Sequence, residues 1–190
     1  FPKSSIALAI PDRIARRIQS RFPRFKSVAV ARQSMNTIAV SVEEYPGVYL
    51  WCDDACSFMD ETGTVFADAP YFSGNPYVKF FVGTRAPYPF HPITTDQLQL
   101  ATMLTTRLTA IAIAPIEFQF VSEHQVVVIF FHNDHRAKIL FDPTRDIESA
   151  LSALYTGIRT EPLATMYRQT TKVLEYLDLR FSNKLVYKFQ

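Results

Sequence analysis

Histidines, paired carboxylates and cysteines are the side chains in this sequence whose spacing bears on chemistry. His132, Asp134 and His135 stand close together, with His124 at a neighbouring turn. Imidazole and carboxylate groups of this kind ligate zinc and other divalent cations when they converge. The stretch His132-Asn133-Asp134-His135, however, separates two strand-like segments and has the polar make-up of a solvated hairpin loop, so no metal site is expected. Adjacent acids at Glu43/Glu44, Asp53/Asp54 and Asp60/Glu61 fall at strand ends and turns. Neighbours in a strand point to opposite faces, which makes such pairs poor acid and base partners. The five glycines, at 47, 63, 74, 83 and 157, are too scattered for G-x-G-x-x-G, a P-loop or G-x-S-x-G. The expectation is therefore a protein that is not an enzyme, with no catalytic residue, no cofactor and no metal. Catalysis by groups converging from distant positions is the alternative.

The cysteines are more informative. Trp51-Cys52-Asp53-Asp54-Ala55-Cys56 sets two thiols on either side of a three-residue polar turn, where paired strands bring Cβ atoms within disulfide range. A zinc site would need two further ligands, and there is no second cysteine pair. In an oxidising compartment Cys52 and Cys56 are expected to form a disulfide; in a cytosolic protein they would be two reduced, partly buried thiols.

These residues are carried by a chain of 190 residues, 48% hydrophobic and 20% charged, which suffices for a buried core. Sixteen Phe and nine Tyr against one Trp favour strands over a helical bundle. The net charge of +2 hides an asymmetry. Residues 1–45 hold eight Lys or Arg against three Asp or Glu, whereas residues 46–190 hold twelve against fifteen. A basic first segment fits a negative neighbour, such as a phospholipid surface or nucleic acid, or simply a solvated helix face. No run approaches the ~18 apolar residues that cross a bilayer. The sequence begins with Phe1 rather than Met, so a fragment or processed form is expected, from which any N-terminal signal or anchor would have been removed.

Ile6, Ile10, Ile14 and Ile18 recur every fourth position, with Arg13, Arg16, Arg17 and Arg21 on other faces. This predicts an amphipathic helix ending before Pro23, with Pro11 suited to its first turn. Strands are predicted at 27–32 and 37–43, and Tyr45-Pro46-Gly47 is the best boundary. A β-meander follows at 48–52, 57–59 and 64–67, then a proline-rich segment at 69–92 enclosing a strand at 77–82. A helix from Thr94 or Thr95 to about 112 leads to strands at 116–122, 125–131 and 137–141, expected to be antiparallel hairpins. A second helix at about 146–158, a loop at 159–162 and strands at 172–181 and 184–189 complete the chain. The expected fold is α+β: a small helix-hairpin lobe at residues 1–45 and a larger antiparallel β-sheet domain with two helices at residues 46–190.

In the last two strands Leu177, Leu179 and Phe181 alternate with Asp178 and Arg180, and Leu185, Tyr187 and Phe189 alternate with Lys184, Val186 and Lys188. Each strand thus has one face to bury. A strand that comes last in a sheet can leave one edge unpaired, and its free N–H and C=O groups can accept an incoming strand. Lys184 and Lys188 on the outward face would deter indiscriminate pairing and favour an acidic partner.

Three stretches together resemble a known pattern: Ile14-Ala15-Arg16-Arg17-Ile18-Gln19-Ser20-Arg21-Phe22-Pro23, Phe25-Lys26-Ser27-Val28-Ala29-Val30-Ala31-Arg32, and Asn36-Thr37-Ile38-Ala39-Val40-Ser41-Val42-Glu43-Glu44-Tyr45-Pro46. They look like a POTRA domain of the FtsQ/DivIB cell-division family. Met59-Asp60-Glu61-Thr62-Gly63-Thr64-Val65-Phe66 and Leu177-Asp178-Leu179-Arg180-Phe181-Ser182-Asn183-Lys184 resemble that family's β domain. The chain departs from the pattern in having too few residues before the helix for a full first POTRA strand, in its hairpin turn near Met35, and at Glu44. The resemblance implies the extracytoplasmic part of a single-pass cell-membrane protein, anchored by an N-terminal helix outside this chain and acting as a divisome scaffold in septation. Its implied partners are FtsB/DivIC-like and FtsL-like proteins, with no nucleic acid. The implied contact with the FtsB-like partner is Phe181, Ser182, Asn183, Lys184, Leu185, Val186 and Tyr187. The alternative is a basic-lobe module that binds a membrane surface or nucleic acid through Arg13, Arg16, Arg17, Arg21 and Arg24.

Overall fold

The computed structural model describes residues 10–181 and 184–190. The question of a strand ahead of the first helix falls outside them. Helix α1 (Pro11–Arg21) starts with proline in its first turn, where the missing N–H costs nothing, and presents Ile14 and Ile18 to β1 (Phe25–Arg32). β1 pairs antiparallel with β2 (Ile38–Glu44) in a separate two-stranded sheet, with Val28 opposite Val42 and Val30 opposite Val40. Arg24 and Lys26 of this lobe bond Glu44 and Glu43. The lobe meets the rest of the chain where Tyr45 stacks on Phe66, with ring centroids 5.1 Å apart.

The second sheet has nine strands: β3 (Tyr49–Cys52), β4 (Cys56–Met59), β5 (Val65–Asp68), β6 (Lys79–Phe81), β7 (Pro115–Ser122), β8 (Gln125–His132), β9 (His135–Phe141), β10 (Leu174–Phe181) and β11 (Lys184–Phe189). Their spatial order is β11-β10-β9-β8-β7-β6-β3-β4-β5. Helices α2 (Thr95–Thr109), α3 (Ile147–Gly157) and α4 (Leu163–Arg168) accompany it. The fold is α+β. The sheet is mixed rather than wholly antiparallel, because β6 runs parallel to both β3 and β7, and β10 runs parallel to β9. The physical reason is the crossovers. Segments containing α2, and α3 with α4, are long enough to carry the chain back to the same end of the sheet. A third helix, α4, accordingly joins the two expected.

Local signals explain the remaining elements. Thr94 and Gln97 form a reciprocal capping box on α2, and Asp146 caps α3 through the Glu148 and Ser149 amides. Asn133 and Asp134, both at positive φ, make the two-residue turn of the β8–β9 hairpin. Asp60 accepts hydrogen bonds from the Thr62 and Thr64 amides, and Gly63 takes φ 86° to close the β4–β5 turn. Trp51, Leu104, Phe118, Phe130, Phe141 and Leu154 are among the fully buried side chains of one core, between the sheet and the helices.

Candidate functional site

β11 forms one edge of the nine-stranded sheet, so among the described residues only one of its two sides is paired, with β10. Which backbone groups remain outward follows from the register. The Gln190 amide donates to the Val173 carbonyl, and backbone polar groups alternate along a strand. Counting back, Lys188, Val186 and Lys184 direct their N–H and C=O toward β10, and Phe189, Tyr187 and Leu185 direct theirs to the open edge. Side chains alternate in step. Leu185, Tyr187 and Phe189 pack inward against the core, while Lys184, Val186 and Lys188 share the opposite face.

The inward face holds this edge in place. Leu185 lies so close to Gly157, at the end of α3, that any Cβ there would collide with it. Tyr187 and Phe189 meet edge to face at 6.1 Å, and Phe189 approaches the His132 ring. His132 is buried, with Nε2 2.8 Å from the Tyr167 carbonyl of α4. On the open face Asp178 is only 6% exposed, and Arg180 grips it with Nε at 3.0 Å and Nη2 at 2.7 Å while reaching Gln125 at 2.9 Å. Burial pushes the Asp178 carboxyl up, but the Arg180 hydrogen bonds and charge outweigh it and hold the group below its ordinary range.

The expected contact residues fall in different settings. Phe181 lines a groove with Leu179 but is not buried as Leu177 and Leu179 are. It is 52% exposed, because pairing of β10 with β9 extends only to Asp178 opposite Leu140. Together with Lys184 it lines a groove of about 170 Å3 against Asp142, Arg145, Asp146 and Ser149. Val186 is 40% exposed. Ser182 and Asn183 lie outside the described residues. Lys188 is committed to Glu175 at 2.7 Å, and that hydrogen bond lowers the Glu175 pKa. Lys184 has no ion pair among the described residues, so it is the lysine of β11 left to meet an acidic partner.

The other groups singled out in the sequence are engaged elsewhere. His124, in the turn before β8, and His132, at its far end, are separated by roughly 26 Å at ~3.3 Å per residue. Among the described residues no group of three His, Cys, Asp or Glu side chains is placed to hold a metal ion. Cys52 and Cys56 are joined in a disulfide across the β3–β4 turn. That turn presents Asp53 to Arg85, which bonds both carboxylate oxygens, the Ala55 carbonyl and Tyr88, and lies over the Trp51 ring. The Arg85 hydrogen bonds lower the Asp53 pKa to about 2. Nothing in the spacing of Arg85, 32 residues from Asp53, signals this clasp, although a lone arginine in a proline-rich segment is a hint that it anchors that segment.

No protein-family model matches this sequence, and no curated protein matches it.

Proposed function

We propose that this chain is the extracytoplasmic part of a single-pass membrane scaffold of bacterial cell division, without enzymatic activity, that binds FtsB/DivIC-like and FtsL-like proteins. The FtsB-like partner adds a strand to β11. The observation that carries this reading is the edge position of β11, whose Leu185, Tyr187 and Phe189 backbone groups have no strand partner among the described residues and whose side chains pack against the core. An incoming strand satisfies those groups and sends alternate side chains to either side of the sheet. One set lands over Val186 on the open face. The other reaches the groove beside Phe181 and Lys184. The sequence resemblance supplies the identity of the partner, and the edge geometry supplies a means of binding.

A pair of substitutions isolates the backbone contribution. Tyr187→Ala removes the inward side chain but keeps the outward N–H, whereas Tyr187→Pro removes both. With an FtsB-like extracytoplasmic segment in a titration, and both variants verified as folded, Tyr187→Ala should bind within a few-fold of the parent. Tyr187→Pro should bind about tenfold more weakly or worse, since it loses a hydrogen bond worth ~1 kcal/mol and sets a ring in the partner's path. Equal affinities for the two variants would exclude strand addition at this edge.

A further inference from the structure

The arginines of this protein divide into two groups. Outside α1, Arg24, Arg85, Arg107, Arg136, Arg168 and Arg180 each bond a carboxylate. Arg145 pairs with Asp142, Arg159 lies over the Tyr155 ring, and Arg32 is engaged as well. On α1 the pattern stops. Arg13, Arg17 and Arg21 are exposed and have no hydrogen bond, ion pair or ring contact among the described residues, while Arg16 bonds only its own helix at the Asp12 carbonyl. The one acid on the helix, Asp12, sits in the first turn.

The spacing organises these free charges. Positions 13, 17 and 21 follow one another at four-residue intervals, so at ~100° per residue the three guanidinium groups form a stripe along one flank of the helix. Ile10 falls on the same stripe at its N-terminal end and is 52% exposed; Phe22, just past the C-terminal end, instead continues the Ile14–Ile18 row and packs on Phe25 with ring centroids 5.3 Å apart. The adjoining flank, with Ile14 and Ile18, is taken up by β1. A row of arginines without a polar partner among the described residues, with an exposed apolar side chain at its N-terminal end, has the make-up of a helix that lies on a lipid interface. The cations meet headgroup phosphates, and the apolar end enters the headgroup boundary.

We infer that α1 docks on anionic phospholipid through Arg13, Arg17 and Arg21, with Ile10 as a shallow apolar contact. Nucleic acid would be drawn to the same charges, but it gives no role to an exposed isoleucine at the end of the stripe. The site is separate from β11 and works whether or not the division-scaffold reading holds.

The whole chain is sedimented with phosphatidylcholine vesicles with and without phosphatidylglycerol, at low and high salt, beside a duplex DNA titration. Binding should require phosphatidylglycerol and weaken with salt. The triple variant Arg13→Ala, Arg17→Ala, Arg21→Ala should lose on the order of a hundredfold in affinity, about fivefold per arginine, with an unchanged thermal transition because these side chains make no polar contact among the described residues. Ile10→Ser, which offers a better helix cap at that position, should weaken vesicle binding several-fold without loss of stability. Absence of vesicle binding at low salt, undiminished binding by the triple variant, or binding to duplex DNA alone would each overturn the inference.

Discussion

At the scale of single residues, two charges have consequences that can be measured. Asp53 is the first. Its folded pKa of about 2 lies below the ordinary ~3.9 of an aspartate, so its pairing with Arg85 stabilises the fold fully above that ordinary value. The contribution is lost as pH falls toward 2. Asp53→Asn should therefore lower the urea midpoint at neutral pH and flatten its decline between about pH 4 and pH 2. A decline of unchanged steepness would mean that the Arg85 clasp does not report on stability. The second is Lys184. Because Glu175 already occupies Lys188, Lys184→Glu should slow association of an acidic partner about tenfold at low salt, with the difference shrinking at high salt. Stopped-flow association rates at two ionic strengths check this. The sequence showed that both lysines share a face, as they do, but could not show that one of them is taken, because the β-bulge that brings Glu175 to Lys188 is a matter of register.

At the scale of elements, the edge strand depends on α3. Leu185 fits against the bare backbone of Gly157, with Leu163 of α4 alongside. Gly157→Val should push Leu185 outward and destabilise the protein by about 1–3 kcal/mol, the usual range for overpacking. It should also weaken partner binding by loosening β11, with faster amide exchange there as the direct sign. Unchanged stability would show that the edge is not seated as described. Most elements were legible from alternation and capping: β11 at Lys184–Phe189 has the predicted bounds, and Asp146 and Thr94 cap the helices that follow them. What escaped was α4, since Leu163–Arg168 spans under two turns and offers too little periodicity to read. Phe181 was also less covered than expected. Alternation put it with Leu177 and Leu179, but alternation cannot tell where the neighbouring strand stops, and beyond Asp178 β9 no longer pairs with β10.

At the scale of the whole molecule, parallel pairing was the least legible feature. Hairpin logic joins strands to their sequence neighbours, whereas β6, three residues long, sits between β3 and β7 and welds two antiparallel meanders into one sheet. That arrangement leaves β11 as the edge next to α3, and the small sheet of β1 and β2 at the other end of the sequence carries the free arginines of α1. The two surfaces suit different neighbours, an extended protein segment at β11 and a lipid headgroup layer at α1. Partner binding by strand addition requires β11 to be an open edge that a partner strand completes. Residue-resolved amide exchange of the chain, alone and with an FtsB-like segment, tests this most directly. In the free protein the amides of Leu185, Tyr187 and Phe189 should exchange quickly while those of Val186 and Lys188 are protected, and the partner should then protect Leu185 and Tyr187. A bound state in which those two amides stay as fast as before, or a free state in which they are already protected, would contradict it.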